Sequence, residues 1–523
     1  MKLFMKLGIA GGAMFAFGIL IGFIIFPPFL KSQVKKQSSL KAGSELREMW
    51  TTLPFPLDFK VYLFNVTNPE EIAAGAKPIV KEVGPFFYDE YKNKVNLVDD
   101  EEDDTVEFSF QKTWYFNQAK SGPGLTEYTE IIFPHMLILG AVMTTLRTQP
   151  TMVGAVGKAL DSVLHKPESV FMKTTPRELL WEGMLIDCTV KDGAGKALCK
   201  ELRKDDSGLL KEGENYRIAL FGHQNGTASR DRIKVKRGLK QILDVGVVQT
   251  FNNKTKLDTW VEKGNCNTLN GTDSTIFHPF LYDNEDIVSF SSDICRSVSA
   301  RFQQKSSVGG IKTNRYTASL GDMSKDPEIK CLCPTEDTCL KKGLMDLFNC
   351  VKAPIVASLP HLYQVEKEYL SQVDGLHPNE HEHELFIEFE PFTGSPLSAR
   401  NRLQFNMFIQ NVTKFKLMKT FPSALMPLFW IEEGILLGDD ILSQIKMVFT
   451  LMSVVSGMKW TMITLGLGLG GAAGGLFYKA QQNSQKLDIT KIVTKSSQNG
   501  GEKQWPVNIS TVQGATAQPH LDS

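Results

Sequence analysis

Net charge is missing from this sequence: 58 lysines and arginines balance 58 aspartates and glutamates over 523 residues, so no global field steers the chain toward nucleic acid or an anionic surface. Enzyme signatures are missing as well. There is no G-x-S-x-G nucleophile elbow, no H-E-x-x-H and no G-x-x-x-x-G-K-[ST]. The reading is therefore of a protein that is not an enzyme and carries no cofactor. Long apolar runs are scarce, with a mean hydropathy of −0.14, which excludes a polytopic transporter. Cysteine is confined to one stretch, and no C-x-x-C pair accompanies the tight Cys331-Leu332-Cys333 spacing, so no zinc site is expected. No solenoid repeat is visible.

Two apolar runs stand out. Leu7 to Phe29 is 23 residues without a charge, and Trp460 to Tyr478 is 19 between Lys459 and Lys479. Each suffices to cross hydrocarbon as a helix. The first exceeds a signal-peptide core and has no clear cleavage site, so it reads as an uncleaved anchor. The predicted organisation is a cytoplasmic N-terminus (1–6), a span (7–29), an extracellular domain (30–459), a second span (460–478) and a disordered cytoplasmic tail (479–523) poor in apolar residues. Lysine counting around the first span votes weakly for the opposite orientation, with Lys31, Lys35, Lys36 and Lys41 after it and only Lys2 and Lys6 before it. The region between the spans decides the matter: it holds all eight cysteines and five glycosylation sequons, at Asn65, Asn225, Asn253, Asn270 and Asn411, and an oxidising compartment fits both.

The extracellular region opens on strand alternation, Phe55, Leu57, Phe59, Val61 and Leu63 against Pro56, Asp58, Lys60 and Tyr62. Shorter strand-like runs recur at 106–110, 216–221, 246–251 and 385–389. Between Phe133 and Gly183 the alternation lapses and Pro150 and Pro167 cut helix-length pieces, predicting a helical insert. Thr175-Pro176-Arg177-Glu178 reads as a helix start, with Thr as N-cap, Pro first and Glu third, leading a helix through Leu179, Leu180 and Trp181. The acidic run 99–104 reads as a solvated loop. His377, His381 and His383 read as surface histidines, the last two on the strand that continues through Leu385. Gly466-Leu-Gly468-Leu-Gly470-Gly471 matches the dinucleotide fingerprint G-x-G-x-x-G, but it lies inside a span, where small residues serve helix packing; Gly8/Gly12 and Gly18/Gly22 do the same in the first.

Several motifs together carry a resemblance: Leu63-Phe-Asn-Val-Thr-Asn-Pro-Glu70, Val83-Gly-Pro-Phe86, Pro176-Arg-Glu-Leu-Leu-Trp181, Phe290-Ser-Ser-Asp-Ile-Cys-Arg296, Ser358-Leu-Pro-His361 and Gly375-Leu-His-Pro-Asn-Glu380. With both spans and the cysteine order, the chain resembles the class B scavenger receptor family nearly throughout. Ser121-Gly-Pro-Gly-Leu-Thr126 and Phe429-Trp-Ile-Glu-Glu-Gly434 are similar to its insect sensory neuron branch, the first, moth-antennal subtype.

The resemblance implies a mainly β fold, an irregular antiparallel β-barrel ectodomain with a helical cap (133–183) and an internal lipid tunnel, anchored by two transmembrane helices. It also implies disulfides Cys266–Cys331, Cys295–Cys350 and Cys333–Cys339; the even count then leaves Cys188 with Cys199. Where relatives have lipid-binding cap lysines, this chain has His165 and Pro167 with Lys166 between, so His165, Lys166 and Lys173 are the entrance candidates and a neutral ligand is favoured over a carboxylate. Arg177 and Glu178 read as a structural pair or cap. The implied role is binding lipophilic pheromone or another fatty-acid-derived ligand and delivering it to an odorant receptor and its co-receptor at the plasma membrane of sensory dendrites. An odorant-binding protein is a further implied partner. The alternative is a scavenger-type surface receptor that captures lipoprotein or a carrier protein for lipid uptake.

Overall fold

A computed structural model describes residues 2–498 except 205–207, 262–263, 284 and 336–337. Two compact units emerge, one of residues 30–447 and one of the terminal helices.

The larger unit is built on a long antiparallel sheet. Its strands in chain order begin with β1 (Leu57–Val66), β2 (Val80–Asp100), β3 (Thr105–Phe116), β4 (Ile131–Pro134), β5 (Phe171–Thr174), β6 (Met184–Ile186), β7 (Leu210–Glu212), β8 (Asn215–Ile218) and β9 (Ile233–Lys236). They continue with β10 (Val248–Phe251), β11 (Ile287–Ser291), β12 (Arg296–Val308), β13 (Ile311–Ala318), β14 (Met345–Asp346), β15 (Val356–Ser358), β16 (Leu385–Glu390), β17 (Ser395–Ile409) and β18 (Ala424–Leu436). The main sheet runs β10-β9-β3-β2-β1-β18-β17-β16-β13-β12-β11. Its two edges approach each other across Gly271–Asp273: the Val248 amide donates to Gly271 O (2.9 Å), and the Thr272 amide donates to Val288 O (3.1 Å) on the other edge. Both edges thus find partners, and the sheet becomes a nearly closed barrel.

The alternation read in the sequence is what seats β1 in the middle of this sheet. Phe59, Val61 and Leu63 are buried on one parity and pair across to β2 and β18. The insert at 133–183 contains helices Met136–Thr148 and Val153–Val163, flanked by β4 and β5, which pair with each other. Leu137, Ile138, Val142, Leu160 and Val163 of these helices join the same apolar core as Phe59, Val61 and Leu63. Four disulfides, Cys188–Cys199, Cys266–Cys331, Cys295–Cys350 and Cys333–Cys339, tie the periphery.

Several expectations need correction. The Thr175 cap forms, its Oγ1 accepting the Glu178 amide (3.3 Å), but the helix is a single π turn, Glu178–Glu182, because Gly183 at φ 81° leaves helical space at once. The run predicted as a strand at 216–221 ends at Ile218, and β8 belongs to a separate sheet, β6-β8-β7. The acidic run is not wholly solvated. Asp104 is buried against Arg237 (3.4 Å) and accepts the Lys240 amide (2.8 Å), while Asp99 meets Arg47 (3.1 Å) and Arg237 (3.5 Å). Buried arginines draw these carboxylates inward.

The smaller unit consists of the terminal helices. Helix Leu3–Ile19 continues through a π segment, Leu20–Ile25, into Phe26–Gln37, so the helix does not stop at Pro27-Pro28. The wider π turn relaxes the carbonyls against which two proline rings would clash. The other helix runs Asp439–Gln498, well past the apolar segment. Residues 481–498 are thus helical instead of disordered, because Gln, Lys, Leu and Ile extend an existing helix without a new nucleus; the rest of the tail lies outside the described residues. Each helix contains a stretch long and apolar enough to cross a bilayer.

The two pack through bare backbone. A Cβ on Gly11 would lie 2.8 Å from Gly466 O, and one on Gly466 would lie 2.7 Å from Phe15 N, so only glycine fits at the crossing. A Cβ on Gly12, Gly468, Gly470 or Gly474 would meet nothing within 4 Å, so only part of the small-residue pattern has to stay bare for this contact. Phe4 and Phe477, 5.4 Å apart, offer a test. With cysteines there, the full-length protein in membranes should crosslink efficiently, and adding Gly466→Leu should reduce the yield at least roughly fivefold.

Candidate functional site

The inner face of the barrel follows from strand parity. On β2, Tyr88, Glu90 and Lys94 are almost fully buried, whereas Tyr91, of the opposite parity, is 38 % exposed. Across the β2–β3 pair Glu90 faces Trp114 and Lys92 faces Lys112; Phe59 of β1 lies between Tyr88 and Glu433 of β18. Around Trp114 the interior is aromatic, with Trp181 at 5.4 Å, Phe59 at 5.7 Å and Phe221 at 6.0 Å between ring centroids. Tyr88 and Phe429 extend the cluster. Such a wall suits an apolar chain.

Charged groups interrupt it. Lys92 Nζ donates to Glu433 (2.7 Å), and Lys112 lies 3.7 Å from Asp293. Burial opposes the charge on Lys92 and Glu433, yet their mutual attraction raises the lysine and, with Lys112 adding to it, lowers the carboxyl. Lys94 is pushed down to about 8 by burial, its ammonium donating to Trp50 O (2.8 Å) over the indole ring. Sequence reasoning named none of these residues. The available signal was the even parity of β2, aromatic at 86 and 88 and then charged at 90, 92 and 94, which an amphipathic-strand reading places in solvent.

A polar knot covers the opposite face, assembled from the motifs that are most distant in sequence. Glu82 accepts from His361 Nε2 and from Trp430 Nε1, both at 2.6 Å. Burial works against its charge, but the hydrogen bond from His361 prevails and holds the carboxyl below its usual range. Tyr62 stacks on Trp430 at 3.7 Å. His383 is not a surface residue: it sits in the short helix Glu380–His383, buried and stacked on His361 at 4.4 Å, while His377 and His381 are exposed. A side chain read as strand is helical here because Asn379 caps the turn through the His381 and Glu382 amides. No three metal-ligating groups gather among the described residues.

Acid sensitivity follows from His383. Its Nδ1 accepts the Asn379 amide (2.9 Å), and burial, reinforced by His361 and Arg402 against an opposing Glu82, pushes its pKa down to about 4. A ring that titrates at 6.5 when unfolded and near 4 when folded takes its proton first in the unfolded chain. Stability should therefore be full above pH 6.5 and fall by ~3 kcal/mol as pH drops toward 4. Denaturation of wild type and His383→Gln across this window checks it; the variant should show a shallower slope.

The cap candidates lie on different elements. His165 and Lys166, both at positive φ, end the helix Val153–Val163, and Lys173 lies on β5. Exposed His165 meets half-buried Asp187 (3.1 Å), and Lys173 meets Glu130 (2.7 Å) at the surface. Lys166 has no ion pair among the described residues. Arg177 bridges Glu127 and Glu182, and Glu178 accepts from Thr174 Oγ1 (2.7 Å), which makes both structural. Of the sequons, Asn225, Asn253, Asn270 and Asn411 are exposed; Asn65 is half-buried on β1 with its Oδ1 accepting the Ile132 amide (2.7 Å).

Together these features define a membrane protein with an apolar helix at each end and a barrel-like, disulfide-tied body between. A family model described as the CD36 family matches residues 9–477, and the chain belongs to that family. It is 55% identical over 521 residues to sensory neuron membrane protein 1 of Apis mellifera, covering 99% of each chain. The proteins of the same name from Ostrinia nubilalis and Antheraea polyphemus are 41% identical over 522 residues (99% of this chain, 98% of the other) and 42% over 466 (88% of each).

Proposed function

We propose that this protein is a receptor-type accessory of olfactory sensory neurons that binds lipophilic pheromone in its barrel and passes it to an odorant receptor and its co-receptor. The observation that supports this most is the aromatic inner wall around Trp114 in a protein whose relatives are named for sensory neurons. Exposing a chain of a dozen methylenes to water costs ~0.8 kcal/mol for each, so a dry route eases delivery. In this reading 30–459 is extracellular and glycosylated at its sequons, both termini are cytoplasmic, and the dendrite plasma membrane is the site of action. His165, Lys166 and Lys173 border the entrance, and an odorant-binding protein docks on the cap. With His165 and Lys173 already facing carboxylates, the entrance favours neutral ligands over fatty acids.

Native mass spectrometry of the purified protein with long-chain aldehydes, acetates and free acids tests the reading. One retained neutral ligand per chain is the expected result. No retained ligand from correctly disulfide-bonded protein would transfer the role to surface capture of lipoprotein or a carrier.

A further inference from the structure

Among the described residues three groups on the inner wall lack a hydrogen-bond partner, the Trp181 indole N–H and two that are neighbours across a strand pair. Glu90 is 1 % exposed, and neither carboxylate oxygen has a hydrogen-bond partner among the described residues; the same holds for the indole Nε1 of Trp114. They are register partners across β2 and β3, so their side chains stand side by side on one face. Buried polar atoms are almost always satisfied, and two adjacent orphans in an aromatic setting point to a polar atom that arrives with a ligand.

We propose that Glu90 and Trp114 form a polar station that receives the carbonyl oxygen of a neutral long-chain aldehyde or ester whose hydrocarbon lies along the aromatic wall. This rests on the reading that lipophilic ligands enter the barrel, and it names the chemistry they meet there. Burial, with Glu433 adding to it, raises the Glu90 carboxyl well above the usual carboxylate range, which favours the acid form with a proton to donate. Trp114 offers a second N–H. Two potential donors thus stand on register partners, and one carbonyl oxygen has two lone pairs to accept them. The surrounding charges already cancel: Lys92 and Lys112 are cations, Glu433 and Asp293 anions. A fatty carboxylate would add an uncompensated negative charge, whereas a carbonyl adds none.

The test measures what the oxygen contributes. Full-length protein in nanodiscs is titrated with hexadecanal, with hexadecane as the oxygen-free reference and with hexadecanoic acid. Wild type should prefer hexadecanal to hexadecane by roughly tenfold. Glu90→Leu and Trp114→Phe should each cut that preference about fivefold while leaving hexadecane affinity unchanged, and Glu90→Gln, which keeps a donor, should stay within about twofold. Trp114→Phe preserves the ring, so it covers the case in which Glu90→Leu fails to fold. An unchanged preference in folded variants would mean that the two groups hold only an internal water, and would overturn the proposal, as would tighter binding of hexadecanoic acid than of hexadecanal. If wild type binds none of the probes, the delivery reading itself fails, a result distinct from binding without an oxygen preference.

Discussion

Glu432→Ala is expected to destabilise the barrel domain by ~3–5 kcal/mol, the range for removing one partner of a buried ion pair. Glu432 is 3 % exposed and accepts from Lys60 Nζ (2.6 Å) and Arg402 Nε (2.7 Å), with Arg400 at 3.6 Å. Three strands meet there, since Lys60 of β1 and Arg402 of β17 are both register partners of Glu432 on β18. Without the carboxylate, Arg402, itself 3 % exposed, keeps only the carbonyls of His381 and Glu384. Burial alone would raise this carboxyl; the hydrogen bond and charge of Lys60, followed by Arg402 and Arg400, lower it instead. A depressed carboxyl contributes stability above its unfolded value near 4.5 and loses it as pH falls through the lower folded value. Its window therefore lies below that of His383. Denaturant titration at pH 7 and at steps below pH 4.5 checks both the size and the sign: the deficit of the variant should be large at pH 7 and begin to narrow only below about 4.5.

Gly375→Ala should be comparably damaging, ~3–5 kcal/mol, for a reason of backbone alone. Gly375 has φ 97°, and a Cβ there would sit 1.8 Å from Val80 O. The preceding residue pairs with the edge of β2, Asp374 O accepting the Val80 amide (2.9 Å), so the segment cannot retreat without losing that bond. The same segment carries Asn379 and His383 onto the face where His361, Glu82 and Trp430 interlock. The variant should show a lowered thermal midpoint and altered tryptophan emission. A midpoint equal to that of wild type would show that the close approach is not maintained in solution.

Much of the architecture was legible locally. The two uncharged runs, the period-two pattern of β1 and the loss of alternation after Phe133 are properties of consecutive residues, and they announce helices, strands and the insert directly. The Thr175 cap was legible for the same reason, but the length of the helix it opens depended on Gly183. Where local rules failed, distant partners had overruled them. Asp104 is buried because Arg237 is there, and His383 because His361 offers a ring face. Glu90, Lys92 and Lys94 sit inside because β2 pairs on both sides, and its even parity faces the barrel interior.

The sequence by itself determined that this chain has two apolar helices, a β-rich body, an oxidised set of cysteines and the motifs of one family, because each is written in composition, spacing or periodicity. Only the tertiary structure decided which face of each strand lines the barrel, which charges are neutralised there and which polar atoms remain without a partner. Those outcomes depend on contacts between residues up to hundreds of positions apart, such as Lys60 with Glu432, which a pattern read along the chain does not encode.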